Sequence, residues 1–399
     1  MRIQVTLHEL KKHGSDRMLF DEVPPGYGVI DMGDDRKLRR IFSDIRSGYP
    51  SQRFLLFTWD HGSGFGIFKT NPAERSLLEK EAFLNFEMEV MQEGNSRSPV
   101  IPEAAIEFDI IDNHSTEEEP GSPVQGKKGE AGKKIKTSML TNDELRNTIL
   151  YDTQARKVDL LIMMNCAMQM IETGYALQDA VEYLVAPETC IFWAGYDYKS
   201  IISKLCIAPD IETEALGKYA IDTIESYYKN TPSRTYFNDL VVSLVKPAAS
   251  VEIRTAIDEI ADQLTNKLGQ SFAKIKSLRT ASEDLTQKYV SGVPYHYIDF
   301  LGFVAALAQT ADMITLERIK QATEKYVIHI IKGNNYSQVD TANNIGRVNG
   351  YTIYFPPTAY EADDDVYYDW FYKAGNRQTL FAGHCTWKVF LQQYFRYSR

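Results

Sequence analysis

Residues 158–170 read VDLLIMMNCAMQM. After Asp159 the run Leu160–Met164 is apolar throughout, and it stops at Asn165-Cys166. A continuous apolar run of this length predicts a strand covered on both faces. Met168, Ile171 and Tyr175 then recur at helical spacing, so a helix is expected to follow at once. EYLVAPETC (182–190) supplies another short apolar strand. Strongly apolar strands joined across a helix predict a parallel sheet with helices on both sides, an α/β fold.

The same grammar extends upstream. RFLLFTW (53–59) is a second apolar run, expected to be covered on both faces, and it opens into Asp60-His61-Gly62-Ser63-Gly64. RIQVTLHEL (2–10) alternates as a strand does. In DMGDDRKLRRIFSDI (31–45), Leu38, Ile41 and Ile45 are spaced by three and four, with Asp34 placed to cap the helix and Gly48-Tyr49-Pro50 to end it. Downstream of about residue 211 the pattern turns mainly helical. VEIRTAIDEIADQL (251–264), for instance, sets Ile253, Ile257, Ile260 and Leu264 on one stripe. NGYTIYFPP (349–357) predicts one more strand, closed by Pro356-Pro357.

Residues 70–137 differ from their surroundings. PAERSLLEKEAFLNFEMEVM (72–91) suits one helix, whereas STEEEPGSPVQGKKGEAGKKIK (115–136) holds an acidic block, a basic block and almost nothing apolar. Such a stretch cannot bury enough surface to offset its ordering entropy, so a mobile surface loop is expected. LTNDELRNTIL (140–150) restores a helix, with Thr141 as N-cap and Glu144 three residues on.

The 399 residues exceed what one core usually organises, and the pattern suggests two packed parts, 1–210 and 211–399. A formal charge of −10 argues against a nucleic-acid partner, which needs a basic face. No apolar run approaches the ~20 residues of a membrane span, and residues 1–20 are too polar to act as a secretory signal. Cys166, Cys190, Cys206 and Cys385 form no CxxC pair and no zinc-like cluster, and they leave the compartment open.

In open parallel sheets, ligands sit beyond the carboxyl ends of the strands. His61 and Cys166 each lie just past such an end, so both should face one rim. A thiol at a helix N-terminus, near an imidazole, is a candidate nucleophile with a lowered pKa. Gly62 and Gly64 leave the backbone bare enough to offer an N–H to an oxyanion. Acyl transfer is the chemistry these groups suit. The bland alternative is a small buried hydrophobe beside an ordinary His-Gly turn. His384-Cys385 is a weaker local pair, and His296 and His329 suit core or surface positions.

FLLFTWDHGSGFG (54–66) resembles the strand and His-Gly segment of the clostripain-like cysteine peptidases, and residues 158–198 resemble their nucleophile segment. MGDDRKLRRIFSDIRSGYP (32–50), LTNDEL, YIDFLGFVAAL (297–307), GYTIYFPP and TWKVFLQQYF (386–395) extend the resemblance over most of the chain. It implies a caspase-like three-layer α/β sandwich with a mainly parallel sheet, plus a mostly helical C-terminal portion. It further implies a cysteine endopeptidase acting on peptide or protein substrates, with Cys166 as nucleophile, His61 as general base and acid, and the N–H groups of Gly62 and Cys166 as oxyanion donors. No cofactor is implied for the chemistry, although some relatives bind calcium.

Two departures from that pattern bear on function. Members that cleave after Arg or Lys carry Asp two residues before the nucleophile, where this chain has Met164, then Asn165. A basic P1 preference is therefore not expected unless Glu188 or Asp197 supplies the charge. The family's first strand and helix would precede RIQVTLHEL, so a longer natural chain, or an incomplete copy of the fold, is expected. The loop lysines Lys127, Lys128, Lys133, Lys134 and Lys136 are candidate processing sites. The alternatives are a catalytically impaired scaffold that binds peptides or protein partners, and a hydrolase of some other acyl bond.

Overall fold

The computed structural model describes residues 2–13, 17–31, 35–48, 51–59, 61–68, 108–111, 135–151, 156–191, 195–230, 234–282, 285, 296–310, 316–337, 339–340, 345–364, 368–373 and 378–399. The chain opens with an antiparallel pair, β1 (Arg2–His13) and β2 (Arg17–Asp31). Helix α1 (Asp35–Gly48) comes next and buries Leu38 and Ile41, with Ile45 packed against the same core. Its expected cap, Asp34, lies outside the described residues. Strand β3 (Leu55–Trp59) leads through β4 (His61–Gly62) to β5 (Gly66–Phe68), and then to β6 (Phe108–Ile111) and β7 (Ile135–Thr141).

Helix α2 (Asn142–Ile149) starts on Thr141 as its sequence requires. The Thr141 hydroxyl accepts the Glu144 N–H, and the Glu144 carboxylate accepts the Thr141 N–H. Then come β8 (Val158–Met164), α3 (Ile171–Ala176), β9 (Val181–Pro187), α4 (Tyr198–Ile207), α5 (Thr213–Lys229), β10 (Val241–Val245) and α6 (Ser250–Ala281). Strand β11 (Tyr297–Asp299), helices α7 (Phe300–Thr310) and α8 (Leu316–Tyr326), and strand β12 (Val327–Lys332) lie downstream.

The central sheet has the order β12-β10-β9-β8-β3. Strands β3, β8 and β9 run parallel, while β10 is antiparallel to both β9 and β12, so four of the five strands point one way. Side chains alternate across β8 as a pleated strand demands. Leu160, Ile162 and Met164 share a core with Ile201 of α4 and Leu216, Ala220, Ile221 and Ile224 of α5. Leu161 and Met163 face the opposite core, with Ile253, Ala256, Ile257 and Ile260 of α6. Helix, sheet and helix make three layers, the expected caspase-like arrangement.

Three expectations need correction. Strand β3, last in the sheet among the described residues, is covered less deeply than expected: Leu55 and Phe57 pack on one core and Leu56 on the other, but Leu55–Thr58 stay half-buried and Trp59 is 72% exposed. An apolar run marks a strand, but its place in the sheet depends on partners elsewhere in the chain. The loop expected over 115–136 also ends sooner, because Ile135 and Lys136 already belong to β7. Strands β6 and β7 join β4 and β5 in a four-stranded sheet, and β7 buries Met139 and Leu140. The segment 72–91 and most of 115–136 lie outside the described residues. Lastly, the central sheet takes in β10 and β12 from beyond residue 210, so both expected portions contribute strands to it.

Candidate active site

Strands β3 and β8 pair in a register that sets Trp59 opposite Met164. His61 stands two residues past Trp59, and Cys166 two residues past Met164. Parallel neighbours paired at their last residues lead both chains out over the same rim. Two contacts then bind the turns together. The Thr58 hydroxyl donates to Asn165 Oδ1 at 2.6 Å. A Cβ on Gly62 would lie 2.6 Å from the Cys166 carbonyl oxygen and 2.8 Å from Asn165 Cβ. Any side chain at 62 would push the His61 turn off the Cys166 turn, so glycine is required there by close approach. His61 itself is half-buried.

The thiol is not at a helix N-terminus, contrary to expectation. Helix α3 begins at Ile171, five residues after Cys166, with Met170 as its cap. In between, Ala167 adopts φ 57, the left-handed region that costs a non-glycine residue about 1 kcal/mol. The turn is strapped to the exit of β9. Ala167 N–H donates to the Thr189 carbonyl at 3.0 Å and Gln169 N–H to the Pro187 carbonyl at 2.9 Å. From the C-terminal part, the Thr352 N–H donates to the Gln169 carbonyl at 2.9 Å.

The Cys166 thiol reaches the Ile191 carbonyl at 3.7 Å and meets the thiol of Cys190. The hydrogen bond from Cys190 holds Cys166 below the usual thiol range, against burial, which pushes it up; main-chain contacts at Ile191 and at Cys166 itself add to the lowering. The same bond, with burial, drives Cys190 well above its ordinary value, so Cys190 keeps its proton and donates it. Cys190 carried no signal in the sequence, because no motif spacing links it to Cys166.

Met164 is buried, and a Cβ on Gly195 would lie 2.5 Å from its sulfur. Gly195 has φ 64, and the neighbouring Tyr196 hydroxyl donates to the Met163 carbonyl at 3.2 Å. The methionine thus fills the space beneath the Gly195-Tyr196 turn. Of the two acids that could supply a compensating charge, Glu188 is poorly placed to do so and Asp197 is half-buried. Glu188 is fully buried, accepts the Gly350 N–H at 2.8 Å and faces Asp299. Burial and that neighbouring carboxylate raise it well above the usual range, and burial lifts Asp299 to about 6. Asp197 caps α4, accepting the Ser200 N–H at 3.0 Å and its hydroxyl at 2.6 Å.

Asn165 is fully buried and, through Thr58, ties strand β3 to the Cys166 turn. Gly64 is likewise buried, its carbonyl taking Asn142 Nδ2 at 2.8 Å and the Thr173 hydroxyl at 2.7 Å. Lys127, Lys128, Lys133 and Lys134 lie outside the described residues. Lys136 sits in β7 opposite Asp109 of β6, a paired strand where a loop was expected.

The other histidines and cysteines do not compete. Burial and Asp258 push the Cys385 thiol well up, while His384 contacts the Tyr175 hydroxyl at 3.2 Å. His329 pairs with Asp222 at 2.6 Å, and His296 is buried. Among the described residues no three His, Cys, Asp or Glu side chains gather to hold a metal ion. No described helix is long and apolar enough to cross a membrane.

The sequence model of the clostripain family, peptidase C11, matches residues 130–394. The chain belongs to the clostripain family. The matched segment contains Cys166 and begins after His61. This clostripain-family chain is a cysteine peptidase, a hydrolase whose substrates are peptides.

Solved structures agree on the fold. A secreted C11 cysteine protease from Bacteroides thetaiotaomicron, "iotapain", matches with TM-score 0.52 at 14% identity, covering 88% of this chain and 81% of its own. An inactive zymogen C11 protease from Parabacteroides distasonis matches with TM-score 0.51 at 14% identity, over 89% and 81%. The secreted B. thetaiotaomicron protease in complex with an irreversible peptide inhibitor matches with TM-score 0.50 at 12% identity, over 92% and 85%. No curated protein matches the chain significantly.

Proposed function

We propose that this clostripain-family peptidase is an endopeptidase in which Cys166 is the nucleophile and His61 the general base and acid. The observation that carries the reading is the register of β3 on β8, with Trp59 opposite Met164 and the two candidate groups equally far beyond the paired ends. The Cys166 thiolate attacks the scissile carbonyl carbon. The oxyanion is held by the N–H groups of Gly62 and Cys166, each worth about 10²–10³ in rate. His61 protonates the leaving amine, then takes a proton from the water that hydrolyses the thioester. The lowered pKa of Cys166 supports this, since the thiolate is the attacking form.

In this reading Met164 makes the P1 site apolar. Glu188 is fully buried and engaged elsewhere, so a substrate guanidinium or ammonium would meet no countercharge from it. Uncharged P1 residues are the substrate class that fits.

The test is labelling with peptidyl acyloxymethyl ketones of varied P1 residue. The protein should be labelled, Cys166→Ala should not, and His61→Ala should label much more slowly. Labelling that survives Cys166→Ala would overturn the nucleophile assignment. Preferred turnover of Arg or Lys substrates would overturn the specificity.

A further inference from the structure

The peptidase chemistry leaves Cys190 without a task, yet its placement is closely determined. Thr189 and Ile191, the residues on either side of it, both grip the nucleophile turn, through Ala167 N–H at 3.0 Å and the Cys166 thiol at 3.7 Å. That strand exit is in turn fixed to β10. Glu188 N–H donates to the Val241 carbonyl at 2.9 Å, and Val241 N–H to the Thr189 hydroxyl at 3.1 Å. The Cys190 thiol therefore cannot drift from Cys166 without breaking main-chain bonds at Thr189 and the Cys166 contact at Ile191. Cys166 and Cys190 are both half-buried residues, whereas Cys206 is exposed and Cys385 is buried. The bland role for Cys190 is that of a small hydrophobe, yet the main-chain bonds at Thr189 set it directly beside the nucleophile turn.

We propose that Cys166 and Cys190 are an oxidative modification site, closing under hydrogen peroxide into a reversible disulfide that withdraws the nucleophile and shields it from further oxidation. In the first step the Cys166 thiolate attacks one peroxide oxygen. An S–O bond forms, the O–O bond breaks, and hydroxide leaves to become water. The sulfur is oxidised to sulfenic acid and the peroxide is reduced. In the second step the Cys190 sulfur attacks the sulfenic sulfur. The S–S bond forms, the S–O bond breaks, and hydroxide leaves with the Cys190 proton as water. Two thiols and one peroxide thus give one disulfide and two waters. A dithiol reductant reverses the bond by two successive exchanges. The loss of peptidase activity, though not the bond itself, rests on reading Cys166 as the nucleophile.

The experiment treats the full chain with hydrogen peroxide, alkylates the remaining thiols, and maps peptides by mass spectrometry without reduction. The expected product is a cross-link joining the Cys166 and Cys190 peptides, lighter by two hydrogens and lost on treatment with dithiothreitol, with Cys206 still alkylated. In Cys190→Ser the expected products are sulfinic and sulfonic acids at Cys166. Acyloxymethyl ketone labelling should then return after dithiothreitol in the native chain, but not in the variant, each compared with its own untreated sample. Sulfinic acid at Cys166 in the native chain, with Cys190 still alkylatable, would overturn the proposal. The native map decides this whether or not the variant folds. A cross-link that leaves peptide turnover intact would support the site and sink Cys166 as nucleophile.

Discussion

One methyl group at Gly62 tests the geometry of the site. The Cβ it would add meets the Cys166 carbonyl at 2.6 Å, and that contact is backbone on backbone, which no rotamer can relieve. Gly62→Ala should therefore separate the His61 and Cys166 turns. A misplacement near 1 Å costs on the order of 10²-fold in rate, so kcat/KM on a peptide substrate should fall by about that factor while circular dichroism stays native. A variant of full activity would mean that the two turns need not touch. Met164 tests specificity in the same way. Its sulfur lies against Gly195, and Met164→Asp would put a carboxylate there in its place. Turnover of Arg or Lys substrates should rise at least about tenfold, the worth of roughly 1.4 kcal/mol. The buried charge should cost about 3–5 kcal/mol of stability when no substrate pairs it. An unchanged P1 profile would place the specificity elsewhere.

At the scale of elements, local signals were the legible ones. The apolar run of β8, the stripe of α6 and the cap of α2 depend on neighbours in sequence, and each forms where the pattern predicts. The α2 cap is directly testable. Thr141→Ala removes the hydroxyl that accepts the Glu144 N–H and should cost about 1 kcal/mol, read as a lower urea midpoint with the same slope. What could not be read depends on distant partners. The reversal of β10, the pairing of β3 with β8 and the pairing of β6 with β7 are fixed by strands distant in the chain. Met168 fits a helical stripe and so predicts too early a start for α3, whereas the chain spends residues 165–170 on a left-handed turn and a bridge to Thr352. For the site, the pair of strand ends was legible and the Cys190 contact was not.

The whole molecule is held to the nucleophile segment by a buried acid. Glu172 of α3 is fully buried, accepting the Tyr354 N–H at 3.0 Å and the Tyr372 hydroxyl, so the helix after Cys166 is anchored to the C-terminal part of the chain. Burial raises its pKa from 4.5 to about 7, with the Tyr372 and Tyr354 hydrogen bonds opposing the rise. The folded state therefore binds a proton that the unfolded chain releases near 4.5. Its stabilising contribution is fully present below 4.5 and is lost as the pH rises through about 7. Between pH 5.5 and 8 this one group should lower the unfolding free energy by about 2 kcal/mol. Glu172→Gln keeps a carbonyl oxygen for both donors and removes the titration, so its stability should vary less over that range by about the same amount. Urea unfolding of both proteins at the two pH values checks this. Equal pH dependence in the two would mean that Glu172 is already ionised inside the fold, its charge supported by groups other than the two tyrosines.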